Sequence, residues 1–257
     1  MATAPASGVF VRGCGRSAVT ASGVARFRRV WAVLGRIGVR RAVLPLACLG
    51  LLLFAMAGSP LRANEPLSPQ RLEALIRAEP GLVILVRHAQ TVSGIGDPPG
   101  FRLEDCSTQR NLSAEGRAQS RRMGLWFTSR GLVPAAVRSS QWCRCLDTAT
   151  EAFAKVVPIT PWPALNSTFQ GRGDSQAQQA QVQEHLQTRH ALHKSAQHGR
   201  HAAPEAKAGS GFEVWVTHQV VVSALTGQYL SMGELILTRP DASGRLQVLG
   251  RVSSDFK

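Results

Sequence analysis

The apolar run Leu82-Val83-Ile84-Leu85-Val86 ends in Arg87-His88-Ala89. Five such residues in a row read as a buried strand. A buried strand has no use for a terminal Arg-His pair, whereas a site that holds a phosphate beside a nucleophilic imidazole does. In open α/β sheets ligand chemistry collects at the carboxyl ends of strands, which is where this pair falls.

The rest of the chain alternates strands with helices. The pattern predicts a helix over Pro69 to Ala78, stopped by Pro80-Gly81, and then the strand 82–88. Residues 91–111 form a long loop rich in Gly, Pro and Asp, and loops of that length in compact domains are commonly functional. Ser113 is the expected N-cap of a helix through about Ser129, with Gly131 as its stop. A strand over Ala135 to Ser140, a helix over Gln141 to Phe153 and a third strand over Val156 to Thr160 follow. Residues 170–210 are polar and rich in Gln and His, with a surface helix expected over Ser175 to Lys194 and a loop after it. They hold five of the seven histidines (His185, His190, His193, His198, His201) at irregular spacing, which reads as a solvated surface; the Arg172-Gly173-Asp174 triplet carries no signal. Order returns with the strand Phe212 to His218 and a helix over Val220 to Leu230. Strands over Gly233 to Thr238 and Arg245 to Val252, joined by the turn Asp241-Ala242-Ser243-Gly244, close the chain. Strands alternating with helices define an α/β layered sheet.

The formal charge is +14 over 257 residues. Nine of those charges are arginines in residues 1–63, a stretch with no acid, which leaves about five for the remainder. The expected domain is therefore mildly basic, as suits an anionic substrate, and no nucleic-acid partner is expected. Residues 42–57 are an apolar run behind Arg40-Arg41 and before small residues and a proline. That order is the n-, h- and c-region of a secretory signal, with cleavage after Ala57 or Ala63. The reading is thus a leader over 1–63, retained as a membrane anchor if uncleaved, and an exported, periplasmic domain over 64–257. An oxidising compartment permits disulfides. The exported part holds Cys106, Cys143 and Cys145; the expected bridge joins Cys106 to one of the other two and leaves one thiol. No metal-ligand spacing accompanies these cysteines, and no cofactor is expected.

Three strand ends carry chemistry: Arg87 and His88 on the first, Ser139-Ser140 and then Arg144 on the second, His218 on the third. Two arginines grip phosphate oxygens with forked donors. One imidazole attacks phosphorus and a second spreads the transition-state charge. Together these segments resemble the histidine phosphatase superfamily, the phosphoglycerate mutase-like fold, from about Gly81 to Leu237. Arg87-His88-Ala89 stands at the family's Arg-His-Gly. Leu112-Ser113-Ala114-Glu115-Gly116-Arg117-Ala118-Gln119 is similar to its Leu-Thr-x-x-Gly-x-x-Gln helix start. Ser139-Ser140-Gln141-Trp142-Cys143-Arg144 with Thr148-Ala149 matches Ser-Ser-x-x-x-Arg-x-x-x-Thr-Ala, and Thr217-His218 carries the second histidine.

The resemblance implies a three-layer αβα sandwich with a mixed, mostly parallel sheet. It also implies a phosphohistidine on His88, a phosphate pocket of Arg87, Arg144 and His218, hydrolysis by water, and no metal. Thr91 follows the motif where the family often places a phosphate contact. The family's usual proton donors are absent: Gln219 stands after the second histidine and Ser167 at the other donor position. Of the remaining acids, Asp105 is the expected replacement and Asp97 the next candidate. The chain also resembles the lipopolysaccharide-core phosphatases, through its export and its Cys-containing loop before Asn111-Leu112. The expected function is an exported phosphomonoesterase acting on a phosphorylated small molecule or envelope glycan. The alternative is a phosphate-binding module that has lost its acid.

Overall fold

The computed structural model describes residues 66–94, 96–198 and 211–256; the leader and the histidine tract's end at 199–210 lie outside them. The order is α1 (Pro69–Ala78), β1 (Val83–Arg87), α2 (Ala114–Thr128), β2 (Ala136–Ser139), α3 (Cys143–Phe153), β3 (Ile159–Pro161), α4 (Ser175–His198), β4 (Glu213–Thr217), α5 (Gln219–Thr226), β5 (Leu235–Pro240) and β6 (Leu246–Val252).

Six strands form one sheet in the order β3-β2-β4-β1-β5-β6. The first four are mutually parallel, and β5 runs antiparallel to both β1 and β6. The sheet is thus mixed and mostly parallel. Alternation along each strand sends side chains to two different cores. Ile84 and Val86 of β1 face one core with Leu72 and Ile76 of α1, Met123 and Phe127 of α2 and Phe153 of α3. Val83 and Leu85 face the other, with Val182 and Leu186 of α4 and Val222 of α5. Helices on both faces make the three-layer α/β sandwich, and they explain why β1 reads as an unbroken apolar run.

Local chemistry sets the element ends. α1 starts where the Ser68 side chain accepts from the Arg71 backbone N–H and Pro69 occupies the first turn. α2 starts on Ser113, whose hydroxyl accepts from Gly116 N. A Cβ at Gly116 would stand 1.9 Å from the Gln90 carbonyl oxygen, so the glycine of this helix start lets α2 lie against the segment that follows His88. Several boundaries differ from the sequence expectation, and α4 runs on to His198 where a loop was expected after Lys194. α5 ends at Thr226, not Leu230, because Gly227 takes a left-handed conformation with φ 68° and its N–H bonds back to Ser223. β3 pairs over Ile159–Pro161 instead of Val156–Thr160, because Val156 and Val157 still turn back to the Phe153 carbonyl.

Candidate active site

β1 and β4 pair with Arg87 opposite Thr217. His88 and His218, the next residue on each, are therefore neighbours, with ring centroids 5.5 Å apart. β2 lies on the far side of β4, with Ser139 opposite Val216, and delivers Ser140 and then α3 to the same end. A cavity of about 340 Å³ opens there, lined among others by Arg87, His88, Asp97, Arg110, Trp142, Arg144 and His218. α3 and α5 both begin at this cavity, α5 without a side-chain cap and α3 with Gln109 Oε1 accepting from Cys143 N. Their first-turn N–H groups suit an anion.

His88 is buried, and its backbone is held on both sides. Its N–H donates to the Thr217 carbonyl at 2.9 Å, and its own carbonyl accepts from Gly233 N at 3.1 Å. Nδ1 lies 2.9 Å from the Ala89 carbonyl oxygen. A carbonyl only accepts, so Nδ1 carries the proton and Nε2 keeps its lone pair. Burial, with Arg144, Arg87 and Arg110 adding positive charge, pushes the His88 pKa down to about 3 against the opposing Ala89 hydrogen bond. The imidazole is therefore neutral and nucleophilic across the physiological range.

His218 is held well below its ordinary pKa by burial first, and then by Arg144, His88, Arg87 and Arg110. Its Nε2 lies 2.8 Å from Ser140 Oγ, and that hydroxyl reaches Asn166 Oδ1 at 3.2 Å. Arg144 Nη2 is 3.5 Å from His218 Nδ1. A guanidinium only donates, so Nδ1 is the acceptor and Nε2–H points to Ser140, whose hydroxyl in turn donates to Asn166 Oδ1. Ser140 is thus part of the support under His218. Buried Cys145 also lies 3.4 Å from that Nε2, and desolvation pushes its thiol up to about 12, so it stays protonated.

Arg87 donates to the Leu230 carbonyl at 2.7 Å. Gln219 secures that turn, since its Oε1 accepts from Leu230 N at 2.8 Å and its amide nitrogen donates to Gln228 O. The residue standing where an acid was missing is therefore occupied in holding Arg87's partner. Arg144 is paired with Asp97 at 2.7 Å. The Nε atoms of Arg87, Arg110 and Arg144 are buried without a hydrogen-bond partner, a cost that interiors rarely carry outside functional sites.

Not every expected residue reaches the cavity. Thr91 does not line it; its hydroxyl faces the Met232 sulfur, and its backbone pairs with Leu112. Asp105 does not line it either. Its carboxylate caps the turn Cys106–Thr108, accepting from Ser107 N at 3.1 Å and Ser107 Oγ at 2.6 Å, and pairs with Arg102. The Asp-x-Ser spacing of a cap is the signal that would have placed it there. Asp97 is the carboxylate among the described lining residues. Burial raises its pKa, but the hydrogen bond and charge of Arg144, the Arg110 N–H and the Trp142 indole outweigh burial and leave it below the ordinary value. Arg110, not among the expected site residues, also lines the cavity. The loop that carries it is fastened by the disulfide Cys106–Cys143, one of the two expected pairings, and Cys145 is the remaining thiol. Among the described residues, no three His, Cys, Asp or Glu side chains gather as a metal site.

Residues 83–241 match the histidine phosphatase superfamily (branch 1), and the chain belongs to that family. Membership supports phosphatase activity. Among solved structures, the chain is similar to the protein histidine phosphatase SixA complexed with tungstate. That match has 18% identity and a TM-score of 0.46, covering 67% of this chain and 97% of that one. It is similar to the alpha-ribazole phosphatase from Shigella flexneri, with 16% identity, a TM-score of 0.41 and coverage of 65% and 95%. A mycobacterial glucosyl-3-phosphoglycerate phosphatase with inorganic phosphate matches at 16% identity and a TM-score of 0.41, with coverage of 67% and 98%. In sequence, the chain matches no curated protein.

Proposed function

We propose that the protein is an exported phosphomonoesterase that works through a phosphohistidine on His88, without a metal. The observation that carries this reading is the neutral, buried imidazole of His88, with Nδ1 tied to Ala89 and Nε2 free, in a cavity shared with Arg87, Arg110 and Arg144. Nε2 attacks phosphorus, the P–O bond to the substrate breaks, and the leaving oxygen departs with the bonding pair. Water then attacks phosphorus, the P–N bond breaks with its electron pair returning to Nε2, one water proton leaves to solvent, and inorganic phosphate and the neutral imidazole result. Arg87 and Arg144 hold the equatorial oxygens, and His218, its N–H directed to Ser140, accepts from the Arg144 guanidinium and keeps it aimed at them.

Asp97 is held ionised by Arg144, so it stores no proton for the leaving group. The reading therefore favours substrates whose leaving group departs unaided, such as an anomeric phosphate. A phosphorylated sugar of the cell envelope, as in lipopolysaccharide-core phosphatases, suits both that demand and the export proposed here. The test is hydrolysis of a series of aryl phosphates by the full chain and by His88→Ala. The expected result is a kcat that falls steeply as the leaving group becomes more basic, and turnover lost by at least a thousandfold, on the order of what removing a covalent nucleophile costs, in the variant. Equal turnover by His88→Ala rejects the covalent route. Vanadate binding without turnover of any ester identifies a phosphate-binding module instead.

A further inference from the structure

The mouth of the cavity holds an arginine that the phosphate chemistry does not use. Arg172 is exposed, lines the cavity and follows the turn Phe169–Gly171. Its guanidinium carbon sits 4.3 Å from the centroid of the Phe101 ring. Phe101 leans on Trp142 at 5.7 Å, and Trp142 meets the edge of His218 at 5.4 Å. A continuous row of tilted and edge-on ring contacts thus runs from the site's second imidazole to Arg172 and restrains a side chain that would otherwise roam.

Arg172 makes no hydrogen bond and no ion pair among the described residues. The acids that could neutralise it are engaged elsewhere. Asp97 is bonded to Arg144 and Trp142, and Asp174 Oδ1 accepts from Gln176 N and Ala177 N at the start of α4. Beside it, Gln170 also lines the cavity and holds φ 60° and ψ 35°, a conformation that non-glycine residues adopt at a cost and that collects at ligand sites. A pre-aimed, unpaired cation at the mouth of a small cavity is a receptor for negative charge. The cavity, about 340 Å³, lies at the small end of the roughly 300–1,000 Å³ of ligand pockets, which fits a compact molecule.

We propose that Arg172 forms a second-anion subsite, and that the substrate is a small phosphomonoester carrying a further anionic oxygen group, a carboxylate or a second phosphate, which Arg172 binds while His88 engages the ester. The proposal rests on the phosphatase reading above and names its substrate class.

The test compares phenyl phosphate with 3- and 4-carboxyphenyl phosphate in the full chain, Arg172→Ala and Arg172→Lys. The wild type should show a KM about five- to tenfold lower for the better carboxylated ester than for phenyl phosphate, the scale of one solvent-facing charge-assisted contact. Arg172→Ala should erase that preference with kcat and the phenyl phosphate KM unchanged, and Arg172→Lys should restore part of it. Equal KM values for all three esters in the wild type, or a loss in Arg172→Ala that falls on every ester alike, overturns the subsite. If the wild type turns over none of them, the phosphatase reading fails instead. Calorimetric binding of the same esters then decides the subsite, and equal affinities overturn it.

Discussion

His88 is uncharged because burial and three arginines make an imidazolium unaffordable there, with the pKa at about 3. The consequence for rate is direct. kcat/KM reports ionisations of the free enzyme, so protonation of the nucleophile cannot produce an acid limb near the ordinary imidazole value of 6.5. On aryl phosphates kcat/KM, once the ester's own second ionisation at about pH 6 is divided out, should hold within about twofold from pH 7 down to pH 5. A fall centred near pH 6.5 would show that His88 titrates like a free imidazole and would remove the basis for its role. Stability moves the other way. The unfolded chain takes up a proton near pH 6.5 that the folded site refuses until about 3. Folding is therefore favoured above that window and weakened as pH falls through it.

At the scale of elements, the site depends on a loop as much as on strands. Residues 91–110 carry Asp97 and Arg110 into the cavity. The Cys106–Cys143 bridge ties that loop to the start of α3, next to Arg144. The bridge closes a separation of 37 residues, for which chain entropy assigns roughly 3–4 kcal/mol. Cys106→Ser with Cys143→Ser should therefore lower unfolding free energy in urea by about that amount and should raise KM for aryl phosphates as Arg110 and Asp97 loosen. An unchanged KM would show that the loop keeps its place through its other bonds, such as Gln109 to Cys143 N.

The same loop marks where the sequence stopped being informative. α1 was legible to the residue, because Ser68, Pro69 and Pro80-Gly81 act locally. The pair Arg87-His88, Arg144 and His218 was legible because each ends or follows a strand. Arg110, Arg172 and the idleness of Thr91 and Asp105 were not, since they depend on which way a loop folds over the sheet. Asp105 stands outside the cavity because its carboxylate caps the turn at Ser107. Gln219 looked like a lost acid and turned out to bond the turn that holds Arg87.

Across the whole molecule, the charges divide by end of the sheet. The carboxyl end of β1, β2 and β4 gathers arginines around His88. The opposite end of β4 buries Glu213, which meets Arg189 at 3.1 Å, Arg138 and His185 each at 3.3 Å, and the Trp215 indole at 2.7 Å. Burial raises the Glu213 pKa, yet His185, Arg189 and Trp215 together bring it to about 2. Its contribution is fully present above the ordinary value of 4.5 and is lost as pH falls from there toward 2. Glu213→Gln should cost roughly 3–5 kcal/mol in urea unfolding, because Arg189 is left buried without its counter-charge. It should leave kcat on aryl phosphates unchanged. A loss below 1 kcal/mol, the scale of an exposed pair, would show that water reaches this cluster.

The backbone of His88, donating to Thr217 and accepting from Gly233, is stitched between two other segments of the chain before any substrate arrives. The disorder this residue would otherwise carry, on the order of 1–2 kcal/mol for the backbone alone, is surrendered once, when the chain folds, and not again at each turnover. A ligand entering the cavity has no nucleophile to freeze into place. Its own affinity is left to decide which molecule is accepted, and that choice falls to the rim.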